Sequence, residues 1–210
     1  MRCTRYHERQ AQRAGACRIA GVDEVGRGAL FGPVVAAAVI LPLERRVSGI
    51  NDSKLLSAEV REALAPRIRQ TALAWSVAAV DAGRIDAINI YQASRLAMAR
   101  AVAALTPQPD YVLVDAVTLD WGGPQLALTH GDGRSASIAA ASILAKVHRD
   151  LLMQQWDAVF PDYGLAANKG YATPDHLAAL SRYGVTPLHR RSYAPVAAVL
   201  NAAGGVALSV

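Results

Sequence analysis

The strongest constraint on the fold is an uncharged apolar stretch at residues 34–41, which contains only valine, alanine, isoleucine and leucine. A continuous run rich in β-branched residues is typical of a strand that is buried on both faces. Glycines at 26, 28 and 32, followed by Pro33, predict a turn before this run. Residues 18–25 predict another strand before the turn. The chain therefore opens with a strand-loop-strand unit that other elements must cover.

The remaining chain alternates between strand and helix patterns. Ser57 is a predicted helix N-cap, and either Asp81 or Asn89 can cap the next helix. This alternation, after an opening strand pair, predicts a mixed sheet flanked by helices. Strands are predicted at 73–80, 111–115 and 125–129, and helices at 58–70, from 81 or 89 to 105, at 138–160, at 174–182 and near the C-terminus.

The length of 210 residues suits one domain, predicted here for residues 18–200. Residues 1–17 contain several arginines without a hydrophobic period and are predicted to form a loose basic extension, and residues 201–210 a tail. Hydrophobic residues make up 52% of the chain and charged residues 19%, which excludes a disordered body.

Composition also limits the compartment and the partners. The two cysteines, Cys3 and Cys17, are too few for a four-cysteine zinc site and are expected to be reduced thiols. The longest uncharged stretches contain prolines or glycines, so no membrane span is predicted, and the N-terminus lacks the apolar segment of a secretory signal. We expect a cytoplasmic protein. A formal net charge of +5 favours polyanionic partners.

Four carboxylates stand at glycine-rich or strand-terminal positions. Asp23 and Glu24 lie in GVDEVGRG, Asp115 ends YVLVD, and Asp132 lies in HGDG. Oxygen ligands without histidine or cysteine favour Mg²⁺ or Mn²⁺, and two such ions about 3.5 to 4 Å apart can hydrolyse a phosphodiester. The alternative from spacing alone is that Asp23 and Asp115 cap strand ends and Asp132 is a turn residue.

Six segments follow one another along the chain. They are IAGVDEVGRGALFGPVVAAAVIL, NDSKLLS, YVLVDA, GDGRSASIAAASILAKVHRD, FPDYGLAANKGYATPDH and LHRRSYAPV. In this order they resemble the signature blocks of bacterial ribonuclease HII, the type 2 ribonuclease H. The resemblance spans about residues 18–200 and implies a ribonuclease H-like α/β fold with a mixed sheet, flanking helices and a helical C-terminal segment. It also implies that Asp23, Glu24, Asp115 and Asp132 are the catalytic metal ligands.

The resemblance further assigns residues to substrate recognition. The turn Gly26, Arg27 and Gly28 would contact ribose 2′-hydroxyls, which distinguish RNA from DNA, and Tyr171 would pack on the following deoxyribose. Basic residues are candidate phosphate contacts. They are Lys54, Lys169, Arg190 and Arg191, with His189 as a possible assistant.

Some positions depart from the family pattern without removing a presumed ligand. These departures leave the metal preference and the strength of substrate binding open. They are Ala29, Leu55, Ala116, His130 and Asn168, where the family commonly has proline, lysine, glycine, lysine and histidine.

The resemblance implies a monomeric endonuclease that cleaves the RNA strand of RNA/DNA hybrids and cuts 5′ of ribonucleotides embedded in duplex DNA. Its products would carry 3′-hydroxyl and 5′-phosphate ends. Two alternatives remain at this stage. One is another nuclease of the same fold, such as a junction resolvase or a type 3 ribonuclease H, which usually has an added N-terminal domain. The other is a silent hybrid-binding protein, which would be expected to lack at least one of the four carboxylates.

Overall fold

The structure is a computed structural model that describes residues 3–205, with side chains described to residue 202. Strands and helices alternate as the sequence predicts, and the described chain contains one five-stranded sheet. The strands are β1 (Ile19–Val25), β2 (Val34–Ile40), β3 (Ala74–Val80), β4 (Tyr111–Asp115) and β5 (Gln125–Leu128). The helices are α1 (Tyr6–Arg13), α2 (Ala58–Thr71), α3 (Ala82–Ala103), α4 (Ala136–Val159), α5 (Leu165–Asn168), α6 (Pro174–Tyr183) and α7 (Ala194–Gly205), with 3₁₀ turns at Ser53–Leu55, Gly131–Gly133 and Pro161–Tyr163.

The sheet has the order β3-β2-β1-β4-β5, which confirms the predicted mixed sheet. Strand β1 pairs antiparallel with β2 and parallel with β4, and β4 pairs parallel with β5. All seven residues of β2 are buried, as its continuous apolar run predicts. The carboxyl ends of β1, β4 and β5 therefore meet at one edge of the sheet.

One glycine allows a helix to pack closely on the sheet, and three side chains cap helices. A Cβ atom on Gly21 would lie 2.1 Å from the backbone carbon of Ser137, so only glycine lets α4 pack this closely on β1. The Ser57 side chain accepts a hydrogen bond from the Val60 amide and caps α2. Helix α3 is broken at Asn89. Both predicted caps are used there, because Asp81 accepts from the Arg84 amide and Asn89 from the Gln92 amide.

The chain divides into two compact units. The first comprises Met1–Val25, Val35–Ala79 and Ser94–His148, and the second comprises Gly26–Val34, Val80–Ala93 and Arg149–Val210. The single domain predicted for residues 18–200 stays a prediction. The second unit has its own apolar cluster, whose buried members are Phe31, Met153, Tyr163, Leu165 and Ala179.

The expectation of a loose extension at residues 1–17 is wrong for its described part. Residues Tyr6–Arg13 form α1, and Glu8 is 1% exposed. The Glu8 carboxylate accepts hydrogen bonds from the Ser135 hydroxyl at 2.7 Å and the Ser137 amide at 2.9 Å. These partners are more than 120 residues away, so sequence patterns could not reveal them. The predicted tail begins inside α7, and residues 206–210 lie outside the described residues.

Within the described part of the chain, no helix combines the length and the apolar character needed to cross a membrane.

Candidate active site

Asp23 and Asp115 lie on neighbouring parallel strands of the first unit. Val22 of β1 is level with Val114 of β4, and this register continued by one residue sets Asp23 beside Asp115. In a pleated sheet, neighbours at the same level project to the same face. The two carboxylates therefore belong to one cluster at the carboxyl ends of their strands, where open sheets usually bind ligands.

The surroundings of Asp23 disfavour the ionised form of its carboxyl group. The residue is 4% exposed, and burial raises its pKa well above the ordinary value. The negative charges of Glu24 and Asp115 raise the pKa further, whereas hydrogen bonds from the Ser142 side chain and the Glu24 amide oppose the rise. A cation near Asp23 would relieve both the repulsion and the missing solvation.

Asp115 is held toward the turn that carries Asp132. Its carboxylate accepts a hydrogen bond from the Gly131 amide at 2.7 Å. Burial raises the pKa of Asp115, the Gly131 hydrogen bond lowers it, and the charge of Asp132 raises it. The charge of Asp132 therefore acts on Asp115.

Asp132 is 2% exposed and has two hydrogen-bonding partners. One carboxylate oxygen accepts from the Gly133 amide at 3.0 Å, and the other lies 3.2 Å from the Lys54 ammonium. The Lys54 side chain is 76% exposed. Burial lowers the Lys54 pKa, the charge of Asp132 raises it, and the net shift is upward. Lys54 thus supplies a positive charge within the carboxylate cluster.

Glu24 occupies a different face of β1 from Asp23. Strand β1 continues to Val25, with Glu24 opposite Ala36 in the antiparallel pair, so alternation directs adjacent side chains to opposite faces. Among residues 3–205, no three side chains of aspartate, glutamate, histidine or cysteine are arranged so that they could hold a metal ion. Ligation of an ion by all four carboxylates therefore requires side-chain movement.

The turn after β1 belongs to the second unit. Gly26 has a φ of +90°, and a Cβ atom there would lie 2.2 Å from Nε of Arg149, so glycine is required at this position. Gly28 is exposed, and an added Cβ would meet no atom within 4 Å. The backbone at Gly28 is thus open to a ligand, and the exposed side chain of Arg27 lies between the two glycines.

Tyr171 lies in the same unit and is half-buried. The Arg149 guanidinium is 5.4 Å from the centre of its ring and donates a hydrogen bond to the carbonyl of Lys169 at 2.8 Å. Lys169 itself has a left-handed backbone, with a φ of 53°. Tyr171 also forms an isolated β-bridge with Ala29, the residue after Gly28. The predicted sugar-reading turn and the predicted tyrosine therefore lie together.

The structure corrects the phosphate-binding role predicted for Arg190. This residue is 0% exposed, and its guanidinium donates to the carbonyls of Gly32 at 2.9 Å and Arg27 at 2.8 Å. Because Arg190 is enclosed, it holds the turn and does not face a phosphate. Arg191, in contrast, has an exposed side chain.

His189 is also buried and cannot meet a phosphate from solvent. Its Nε2 atom lies 3.2 Å from Nε2 of His176, and its Nδ1 atom lies 2.9 Å from the Thr186 hydroxyl. Burial lowers the pKa of His189 to about 4, and the neighbouring His176 contributes to this shift. His189 is therefore a neutral packing residue at ordinary pH.

Sequence reasoning missed two residues that support the predicted site residues. Ser142 hydrogen-bonds Asp23, and Arg149 holds the segment around Gly26 and Tyr171. Both lie in the block GDGRSASIAAASILAKVHRD, but helical spacing identifies only its apolar face. Their partners are distant in sequence, so no local pattern could identify them.

Comparison with known proteins adds independent information. The family model described as Ribonuclease HII matches residues 20–196. A Ribonuclease HII of Solibacter usitatus is 61% identical over 197 residues, which is 94% of this chain and 86% of the relative. A Ribonuclease HII of Koribacter versatilis is 59% identical over 196 residues, or 93% of this chain and 77% of the relative.

Solved structures show the same fold. The ribonuclease H2 of Pyrococcus horikoshii OT3 has a TM-score of 0.78 and 24% identity, covering 89% of this chain and 98% of that one. Bst-RNase HIII, solved in complex with Mn²⁺, has a TM-score of 0.70 and 22% identity. The match covers 92% of this chain and 72% of that one. At these identities the likeness concerns the fold alone. The family model and the bacterial relatives together show that the chain belongs to the ribonuclease HII family of endoribonucleases.

Proposed function

We propose that this protein hydrolyses the RNA strand of RNA/DNA hybrids and cuts 5′ of single ribonucleotides embedded in duplex DNA. The products would carry 3′-hydroxyl and 5′-phosphate ends. Family membership supports the first activity, because ribonuclease HII enzymes cleave RNA in such hybrids. In the cell, this activity would serve DNA replication and ribonucleotide excision repair.

The observation that carries the proposal is the carboxylate cluster of the first unit. Asp23 and Asp115 are level on neighbouring parallel strands, and Asp132 influences the pKa of Asp115. Such a cluster costs stability unless a cation compensates it. It therefore supports a catalytic role better than a role in stabilising strand ends.

The donor set fits one or two Mg²⁺ or Mn²⁺ ions, since all the donors are carboxylate oxygens. Burial and like charges disfavour the ionised forms of Asp23 and Asp115, which a cation would favour. Asp23, Glu24, Asp115 and Asp132 would hold them after side-chain movement. When bound, such ions activate water and stabilise charge on a phosphodiester. An ion would also offset the repulsion that raises the pKa of Asp23 and Asp115.

Lys54 has a proposed role in binding the substrate. Its exposed ammonium lies 3.2 Å from Asp132, so a phosphate near the cluster would find a positive charge there. In the absence of substrate, the same ammonium offsets the charge of Asp132. Lys169 and Arg191, which belong to the second unit, remain proposed phosphate contacts.

Residues of the second unit are proposed to recognise the sugar. Gly28 has open space beside its Cα atom, which allows the backbone to approach a ribose 2′-hydroxyl closely. Gly26 and Arg27 would complete this turn. The ring of Tyr171 would pack on a deoxyribose and disfavour a ribose there, because the additional hydroxyl needs space.

We also infer that the protein acts as a monomer in the cytoplasm. Free cysteines, among the described residues, are consistent with a reducing compartment. The partners proposed are RNA/DNA hybrid and ribonucleotide-containing duplex DNA, with no membrane.

The test is cleavage of a 5′-labelled DNA duplex that contains one ribonucleotide, with Mg²⁺, with Mn²⁺ and with chelator. We expect a single cut 5′ of the ribonucleotide and a product that a polymerase can extend, which requires a 3′-hydroxyl. Cleavage at other positions, or cleavage in chelator, would contradict the proposal.

Asp115→Asn is the decisive variant, because it removes a ligand charge and keeps the shape of the side chain. We expect activity to fall about a hundredfold or more while circular dichroism stays unchanged. Asp120→Asn is the matched control, since Asp120 is an exposed aspartate in the following loop. Equal activity of the two variants would refute the carboxylate assignment.

A further inference from the structure

A basic cavity of about 500 Å³ lies within the first unit, between α1 and the loop after β2. Its volume is within the range of ordinary ligand sites, about 300 to 1,000 Å³. Four arginines line it, together with an apolar floor. The lining includes Arg5, Arg9, Arg13, Arg46, Val47 and Ile50. We call it the arginine cavity.

The spacing of the arginines places like charges side by side. Arg9 and Arg13 are four residues apart on one side of α1, and like charges at this spacing destabilise a helix. Arg5 precedes the helix as its N-cap residue and lines the same cavity. Burial lowers the pKa of Arg5, and the charges of Arg46 and Arg9 lower it further, although Glu8 and Glu44 act in the opposite direction. The cavity therefore favours a bound anion.

The cavity is built on an anchored element. The buried Glu8 accepts hydrogen bonds from Ser135 and Ser137, and the Thr4 carbonyl accepts one from the Ala136 amide at 3.0 Å. The Arg5 guanidinium donates to the carbonyls of Pro42 at 2.8 Å and Leu43 at 2.7 Å, and to that of Arg45. These contacts anchor the backbone of both segments that carry the remaining arginines.

Three of the arginines have donors available for a ligand. Arg9, Arg13 and Arg46 are exposed, and in residues 3–205 no ion pair or side-chain hydrogen bond uses their guanidinium groups. Guanidinium groups bind phosphate through paired N–H donors. Tyr6, which is 58% exposed, also lines the cavity and offers an aromatic face to a base or sugar.

The cavity is close to the candidate catalytic residues along the chain. Ala136 lines it and follows Asp132 by four residues, at the start of α4. A nucleic acid whose scissile phosphate lies at the carboxylates would extend several nucleotides to either side. Its backbone is therefore a chemically suitable occupant of a cluster of arginines beside the site.

We propose that the arginine cavity binds phosphate groups of the nucleic-acid backbone outside the cleavage position, with Arg9, Arg13 and Arg46 as donors. This inference rests on the proposed function for the identity of the nucleic acid, but the anion site itself does not require cleavage. A free polyphosphate has the same chemistry and could occupy the cavity instead. The experiment therefore separates the two sources.

The test compares the double variant Arg9→Gln/Arg46→Gln with Arg67→Gln/Arg100→Gln. Both remove two positive charges from exposed positions of the first unit, and only the first changes the cavity. Arg13 is left intact so that each double variant removes two charges. Binding of a labelled RNA/DNA hybrid is measured by anisotropy in EDTA at several salt concentrations, and tripolyphosphate binding by calorimetry.

For a nucleic-acid site, the cavity variant should bind the hybrid about tenfold more weakly, and its slope of log affinity against log salt should flatten by about 1.8. The control variant should lose less of its affinity for the hybrid and less of its salt slope than the cavity variant. A loss confined to tripolyphosphate binding would identify a free polyphosphate as the ligand and refute the nucleic-acid assignment. Equal behaviour of the two variants in both assays would overturn the cavity as an anion site.

Because these measurements exclude divalent metal, they do not depend on turnover. Inactive wild-type protein with a cavity-dependent salt slope would refute the proposed function and keep the site. Active wild-type protein whose binding does not depend on the cavity would support the proposed function and refute the site.

Discussion

Arg149→Met should destabilise the protein although Arg149 is not a proposed metal ligand. Methionine keeps most of the length and packing of the side chain and removes the guanidinium donors. Arg149 is 0% exposed and donates to three backbone carbonyls, those of Phe31 at 3.1 Å, Pro33 at 3.2 Å and Lys169 at 2.8 Å. The variant leaves these acceptors buried without this donor.

The magnitude follows from two opposing terms. Each buried acceptor that loses its partner costs about 1 to 3 kcal/mol. Three such acceptors together cost about 3 to 9 kcal/mol. Burial lowers the pKa of Arg149 to about 10, so the folded protein now bears a cost of about 3 kcal/mol for the buried charge. The variant no longer bears that cost. The difference spans about 0 to 6 kcal/mol, and we expect a net loss near its centre, about 3 kcal/mol, in the free energy of unfolding.

The assay is urea unfolding followed by circular dichroism, with thermal unfolding as a second measure. A loss of this size should lower Tm by about 5 to 15 °C. Arg182→Met is the matched control, because Arg182 is exposed and its guanidinium also lies over a tyrosine ring, at 5.1 Å from that of Tyr183. The free energy of unfolding of that variant should fall by less than about 1 kcal/mol. Equal losses in the two variants would refute the reasoning.

Three further predictions concern charge and recognition. Asp23→Asn should raise the free energy of unfolding of the metal-free protein by about 1 kcal/mol, because it removes a buried like charge. A fall in this free energy, measured by urea unfolding in EDTA, would contradict the prediction. Tyr171→Ala should slow cleavage of the single-ribonucleotide duplex about tenfold to a hundredfold and affect a continuous hybrid less; an equal loss in single-turnover assays would assign Tyr171 a structural role. Because burial lowers the pKa of His189 to about 4, the unfolded chain takes up a proton near pH 6.5 before the folded one does. Stability should therefore fall as pH falls from 6.5 to 4, by about 2 kcal/mol, and urea unfolding of His189→Gln should show a shallower pH dependence.

The sequence by itself determined the five strands and most of the helices, but not α1 and α5. The uniform apolar run before Pro42 predicts a strand that is buried on both faces, and β2 is one. Ser57, Asp81 and Asn89 are helix caps as predicted, because a cap depends on amides only two or three residues away. Interactions of this short range depend only on neighbouring residues, so the sequence alone predicts them.

The sequence also identified the carboxylates, but not their mutual arrangement. That Asp23 and Asp115 are neighbours depends on the parallel pairing of β1 with β4, across about 90 residues of intervening chain. Glu24 follows Asp23 directly, yet strand alternation directs it to the other face. The metal-binding role of all four residues remains a prediction.

Only the tertiary structure decided the roles of the charged residues Glu8, Arg149 and Arg190. Each is at most 1% exposed, although a sequence pattern favours the surface for such residues. Glu8 and Arg149 are paired with groups more than 100 residues away, and Arg190 reaches the carbonyls of the turn after β1. A buried charge is tolerated when hydrogen bonds replace its water, and those partners exist only after the chain has folded.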